Sequence, residues 1–214
     1  MLNWLYDLTV IVYAACVCGF FIDFLQNNRK AHRIAFWLLS IVWLCQLMTF
    51  IVKITHTGDF PILTPFDSLF FVSWVIVSAS LVITRFLKLY FFSFFANLVG
   101  FAIMVLTLFQ STDQVARVLD ERLMSDLLVI HITIALIAYS LFTISFILSL
   151  MYIVEYRLLK KKKWDRRLFR FDSLTRLDIG AFYCNVLGVP LLLMSLLLGI
   201  VRVYAVFPDF NWFD

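Results

Sequence analysis

The sequence predicts an all-α, polytopic membrane helix bundle with about six transmembrane helices and both termini outside. Three observations predict it: a strongly apolar composition, six runs of spanning length, and basic residues gathered on one side. Of 214 residues, 63% are hydrophobic and 15% charged, against about 25% charged in a typical soluble domain. A soluble core cannot absorb that much apolar surface. A bilayer can, because there the outside of the protein is also apolar.

A span needs about 20 mostly apolar residues, and six runs qualify. They cover about 5–25, 35–54, 66–84, 89–109, 127–152 and 179–206. Each must be helical, because lipid offers no partner to a free backbone N–H or C=O. No Pro/Gly/Ser-rich linker, low-complexity tract or repeat divides the chain, so residues 1–214 are expected to form a single transmembrane domain.

The connections alternate in charge. Arg29, Lys30 and Arg33 follow the first span, Arg85 and Lys88 the third, and nine Lys or Arg lie between Glu155 and Asp178. Fourteen of the eighteen basic residues thus fall on one side. Lys53, Arg117, Arg122 and Arg202 fall on the other. Cytoplasmic loops collect Lys and Arg, so the first side is inside and a multi-pass protein of the bacterial cytoplasmic membrane is expected. Topology accounts for the net charge of +4 without any nucleic-acid partner.

Within the inner basic segment, Trp164, Leu168, Phe171 and Leu174 or Thr175 recur at helical spacing with Lys and Arg between them. The pattern suits a basic amphipathic helix over Lys160 to Arg176, lying on the inner leaflet. Orientation charge alone is the simpler reading. A docking surface for an acidic partner, through Lys160, Lys161, Lys162, Lys163, Arg166 and Arg167, is the functional one.

Outside, Thr64, Pro65 and Asp67 suit the N-cap, N1 and N3 positions of the third helix. The mixed-charge stretch at 110–126 suits a short surface helix. Cys16, Cys18, Cys45 and Cys184 all sit in apolar runs without a C-x-x-C pair, which points to buried thiols. The N-terminal MLNWLYD has no basic n-region or small-residue cleavage site, so no cleaved signal peptide is expected.

Three histidines are candidates for chemistry. His32 lies in the inner basic loop, where solvent or headgroups would satisfy it. His56 lies just beyond the outer end of the second span. His131 lies about one turn inside the outer end of the fifth, a depth at which an imidazole is costly unless paired or ligated. It either bonds a neighbouring helix or ligates a group. Arg202, near the outer end of the last span, either snorkels to headgroups or binds an anion. The final FPDFNWFD is an aromatic belt or a shelf for a flat ring. No phosphate-cradling loop, H-E-x-x-H or Ser/His/Asp set is present, and no span carries the ionisable chain of a proton-coupled pump. An enzyme is not expected.

Four stretches, in this order, resemble the cytochrome c assembly protein family in its HemX-type branch. IDFLQNNRKAHRIAFWLLSIVW is similar to the branch's first cytoplasmic turn. GDFPILTPFDSLFFVSW resembles its G-x-x-P stretch, with an acidic residue and an aromatic-rich helix after it. LLVIHITIALIAYSLF resembles its helix with a histidine near the outer face. LDIGAFYCNVLGVPLLLMSLLLGIVRVYAVFPDFNWFD resembles the run into its tryptophan-rich, heme-handling motif. The motif is thin here: Trp212 and Asp214 stand with Phe207 and Phe213, where richer versions carry Trp. In the family the motif leads into two more spans, so the chain is expected to lack the last spans. The later histidine that partners the first in heme-handling members has no counterpart. The resemblance implies heme as cofactor, with His131 as contact and iron ligand and Trp212, Asp214 and His56 as further contacts. It implies work in heme supply or cytochrome c assembly with assembly partner proteins. For the HemX branch it implies a negative effect on the level of glutamyl-tRNA reductase.

A small-solute transporter or channel and a purely structural membrane partner are the alternatives. A liposome flux assay separates the first of these from a heme protein, and the absorption spectrum of purified protein separates both. The charge pattern itself makes a direct prediction. In a cysteine-free background, a membrane-impermeant thiol reagent added outside should label a cysteine at Asp59 and miss one at Lys162; the reverse result would overturn the topology.

Overall fold

The computed structural model describes residues 2–26, 28–57, 62, 64–86, 90–109, 126–160 and 173–206. Among them there are six helices and no strand: α1 (Leu2–Gln26), α2 (Arg29–Thr57), α3 (Pro65–Phe86), α4 (Tyr90–Thr107), α5 (Asp126–Lys160) and α6 (Leu174–Val206). Five are long and apolar enough to cross a bilayer. The shorter α4 has 18 residues, about 27 Å at 1.5 Å per residue, which nearly matches a hydrocarbon core of about 30 Å.

Local chemistry sets the helix starts. The Asn28 Oδ1 accepts from the N–H of Lys30 at 3.0 Å and caps α2. At α3, Thr64 Oγ1 accepts from the Asp67 N–H at 3.1 Å and donates to the Asp67 carboxylate at 2.6 Å. This is the expected cap, with Pro65 opening the helix. The inner ends of α5 and α6 depart from expectation. Hydropathy ends near Tyr152 and resumes near Ile179, yet α5 runs on to Lys160 and α6 begins at Leu174. Intrahelical bonds do not depend on lipid, so a helix can continue past the apolar run. Lys160 and Leu174–Arg176 therefore belong to spanning helices rather than to a separate inner-leaflet helix; the stretch between, 161–172, lies outside the described residues, as does the stretch 110–126 expected to form a surface helix, except for Asp126, which opens α5.

The helices pack as successive antiparallel neighbours, and polar pairs mark the register at most of the seams. Between α1 and α2, Asp23 bonds His32 at 3.0 Å and the Cys16 thiol donates to the Ala35 carbonyl at 3.3 Å. Gly19 lets these helices close up: a Cβ there would stand 3.0 Å from that of Ala35. Between α2 and α3, Lys53 pairs with Asp67, Gln46 Nε2 donates to Ser73 Oγ at 3.3 Å, and Trp43 Nε1 donates to Ser78 Oγ at 2.8 Å. Between α3 and α4, Asn97 Nδ2 donates to Ser80 Oγ at 2.7 Å and Ser73 Oγ to the Gly100 carbonyl at 3.0 Å. The hydroxyl of Tyr13 joins α1 to this seam through Asn97 Oδ1 at 3.2 Å. Ser145 Oγ donates to the Ala181 carbonyl at 3.2 Å and ties α5 to α6.

Apolar packing fills the space between these ties. One cluster, with Tyr13, Phe20, Leu39, Val42, Phe70 and Met104, binds α1 to α4 together. A second, with Ile76, Phe92, Ile144, Ile147 and Leu177, joins α3 and α4 to the α5–α6 hairpin. Large apolar side chains face outward as well, among them Trp37, Phe146, Phe182 and Leu197. In water such a surface would aggregate; in lipid it is the solvated surface. The protein is a multi-pass membrane protein.

Described basic residues gather at one end. Arg29, Lys30, Arg33, Arg85, Arg157, Lys160 and Arg176 are all exposed where α2, α3, α5 and α6 begin or end on that side. His32 departs from the solvated state expected of it. It is half-buried, bonded to Asp23, and meets Phe20 edge-on with ring centroids 5.6 Å apart. All four cysteines are free thiols, but only Cys16 is fully buried and Cys18 is exposed.

The Lys53–Asp67 pair gives a stability prediction. Both side chains are largely shielded, and the Lys53 ammonium also lies 5.2 Å from the centre of the Phe66 ring. Removing one partner strands the other charge, at a cost of about 3 kcal/mol. Lys53→Met should destabilise the protein by about that amount in reversible unfolding from mixed micelles, while Lys53→Met with Asp67→Asn recovers most of it. Equal losses in the two variants would mean that the pair does not hold α2 to α3.

Candidate functional site

At the outer end of the α5–α6 hairpin, one histidine is held between two helices. His131 lies five residues into α5, which starts at Asp126. It is half-buried. Its Nδ1 is 2.5 Å from the backbone oxygen of Ser195 on α6 and 3.0 Å from Ser195 Oγ. The Ser195 hydroxyl in turn donates to the backbone oxygen of His131 at 3.0 Å. Ser195 is almost fully buried, at 1% exposure, so these bonds form away from water.

Gly199, one turn beyond Ser195, completes the contact. A Cβ there would stand 2.9 Å from His131 Cε1 and 3.3 Å from each ring nitrogen. The imidazole thus occupies space that any other residue would fill. Arg202 follows at the next turn of the same helical stripe and is half-buried. Ser195, Gly199 and Arg202 stand at i, i+4 and i+7, the spacing that brings side chains to one face of a helix.

The donor set suits a heme iron as a single nitrogen ligand. Imidazole binds iron through a nitrogen lone pair, and here Nδ1 is engaged by Ser195 while Nε2 lies beyond it. A histidine ligand commonly donates its other N–H to a carbonyl or carboxylate, which fixes the ring. The Gly199 notch supplies the room. No group of three or more His, Cys, Asp or Glu that could hold a bare metal ion occurs among the described residues.

The other candidate residues are distributed differently. His56 falls in the last turn of α2, a helix that packs on α1 and α3, whereas His131 belongs to the α5–α6 hairpin. Trp212 and Asp214 lie outside the described residues, as do Lys161, Lys162, Lys163, Arg166 and Arg167. Lys160 is exposed at the inner end of α5. Sequence reading missed Ser195 and Gly199. Small residues one turn apart, ahead of Arg202 in SLLLGIVR, were the available signal.

A second shielded polar centre lies toward the inner end, where Glu155 on α5 is 2% exposed. It borders a cleft of about 100 Å³ between α4 and α5, otherwise lined by Phe91, Phe95, Leu150, Met151 and Val154. Apart from Glu155, every residue that lines this cleft is apolar.

These features define a class: a multi-pass membrane helix bundle that presents a single imidazole at the outer end of a helix hairpin. The family model described as "Cytochrome C assembly protein" matches residues 62–214. "Protein HemX" of Bacillus subtilis (strain 168) is 45% identical over 206 residues, covering 96% of this chain and 75% of its own. "Protein HemX" of Brevibacillus brevis is 42% identical over 199 residues, covering 93% and 73%. "Cytochrome c biogenesis protein CcsA" of Chlamydomonas reinhardtii is 24% identical over 181 residues, covering 81% of this chain and 50% of its own. The chain belongs to the cytochrome c assembly protein family, in its HemX-type branch. No solved structure matches it.

Proposed function

We propose that this protein takes part in heme supply or cytochrome c assembly by holding heme at its outer face, without catalysing a reaction. The observation that carries the reading is the His131 geometry: an imidazole inside a lipid-facing hairpin with Nδ1 engaged by Ser195. Such a residue is costly in a bilayer unless it serves a ligand or a helix contact, and this arrangement serves both. Heme, when bound, would supply an iron that a histidine nitrogen can ligate. His131 would hold that iron, Ser195 would orient the ring, and Gly199 would leave space for it. Trp212 and Asp214 are proposed as further contacts, on the strength of the family motif they match, and His56 as a contact from the outer end of α2. Membership of a family whose members include a cytochrome c biogenesis protein supports heme over a small-solute cargo.

Hemin added to detergent-purified protein should give a Soret band that His131→Ala weakens strongly. A Soret band unchanged by His131→Ala would reject the assignment.

The inner face is proposed as the regulatory side. Its exposed cations, from Arg29 to Arg176, form a surface open to a soluble acidic protein. In the HemX-type role, glutamyl-tRNA reductase is the proposed partner. Each Lys or Arg near an anionic leaflet contributes about 1 kcal/mol, so a partner competes with lipid and its binding should be salt-sensitive. Replacing Lys160, Lys161, Lys162 and Lys163 by Gln, with enough Arg left to keep topology, should raise the reductase level and abolish co-purification. A correctly inserted variant with both values unchanged would leave the cluster as a topology signal alone.

A further inference from the structure

A lone histidine can ligate through Nε2 only if its proton sits on Nδ1. In solution the neutral imidazole prefers no such arrangement strongly enough to guarantee it. We infer that Ser195 and Gly199 form a clamp on α6 that holds His131 as the Nδ1–H tautomer and presents Nε2 for ligation. The ligand in this statement rests on the heme reading; the clamp does not.

The hydrogen-bond roles leave one consistent assignment. A backbone carbonyl oxygen only accepts, and that of Ser195 is 2.5 Å from His131 Nδ1. An unprotonated Nδ1 would bring two lone pairs face to face at that distance. The hydroxyl of Ser195 has one proton, and the His131 backbone oxygen takes it at 3.0 Å. What Ser195 Oγ offers Nδ1, 3.0 Å away, is therefore a lone pair too. With acceptors on both sides, Nδ1 carries the proton. A neutral ring carries one proton only, so Nδ1–H leaves none for Nε2. Nε2 is left with its lone pair.

The direction of that lone pair is set by Gly199. Its missing Cβ would be nearest to Cε1, at 2.9 Å, and equally far from the two nitrogens. The Cε1 edge of the ring thus rests in the notch, with Nδ1 on the Ser195 side and Nε2 on the other. A methyl group would lift the ring and pull Nδ1 away from the Ser195 carbonyl. Ser195 also bonds both the ring and the backbone of His131, so it fixes the side chain relative to its own helix. The two act as positioning residues, and neither needs to touch the ligand.

The test uses the full chain in detergent micelles with histidine labelled with nitrogen-15. His131→Gln assigns the resonances, and the two ring-nitrogen shifts report the tautomer before any hemin is added. The expected result is a protonated Nδ1 and an unprotonated Nε2 in the parent, with that signature lost or averaged in Gly199→Ala. Hemin titration should then show binding weakened about tenfold by Ser195→Ala and by Gly199→Ala, and restored by Ser195→Thr, which keeps the hydroxyl. Far-ultraviolet circular dichroism checks that each variant is folded; if Gly199→Ala is not, the Ser195 pair decides. A protonated Nε2 in the parent would overturn the clamp whatever hemin does, as would equal hemin affinity in Ser195→Ala and the parent. A protonated Nδ1 in a parent that binds no hemin would uphold the clamp and reject heme as its ligand.

Discussion

Lipid supplies no hydrogen bonds, and the arrangement of this protein follows from that single constraint. A polar side chain within a span is costly to leave unbonded, and most here find a partner on their own helix or the next. Ser40, Thr49, Thr133 and Ser140 take the local solution and donate to carbonyls one turn back. Others bond across helices, and those bonds select one register from many that apolar packing would tolerate. Transmembrane pairs of this kind contribute only about 0.6 kcal/mol each on average. Their value here is therefore specificity more than stability: Asn97 with Tyr13 and Ser80, Gln46 with Ser73, and Ser195 with His131 all resist a slip of one residue.

The same constraint explains where charge is tolerated. Asp67 sits at the first turn of α3, where its carboxylate meets the positive end of the helix, the Thr64 hydroxyl and Lys53. Asp23 lies at the last turn of α1 and is shared with His32 across the turn. Both of these buried carboxylates thus stand near a helix end, where the chain reverses and a cation can reach them. His131 obeys the rule in another way, since Ser195 on the next helix satisfies its Nδ1 without introducing a charge.

Much of this was legible in the sequence, for identifiable reasons. Spans show themselves through length and apolarity, and the loop cations show orientation, because both signals are local. The α3 cap was legible because Thr64, Pro65 and Asp67 lie within one turn. The depth of His131 followed from its place in its own run. Its partner did not, because nothing local fixes how α5 and α6 slide past each other. Ser195 lies 64 residues away, in a leucine-rich run where serine reads as filler. The pairing of His32 with Asp23 was missed for the opposite reason: the surrounding Arg and Lys signalled solvent, while the close approach allowed by Gly19 draws the first turn of α2 against α1. The extended ends of α5 and α6 were hidden because hydropathy reports the thickness of lipid, not the length of a helix.

How the site and the inner face belong to one molecule is set by the α5–α6 hairpin. α5 has 35 residues and α6 has 33, each about 50 Å at 1.5 Å per residue, well beyond a hydrocarbon core of about 30 Å. The outer end of the hairpin carries His131 and Ser195, and the inner end carries Glu155, Arg157, Lys160 and Arg176. A continuous helix transmits a small tilt or slide along its whole length, whereas a chain broken at the membrane surface would not. Between the two ends lie the Ser145–Ala181 bond and the close contacts of Gly180 with Leu148 and Gly188 with Phe142, which tie the two helices along their length. Pro190 interrupts the backbone bonding of α6 between its two ends, so α5 is the continuous element that joins the outer histidine to the inner cations.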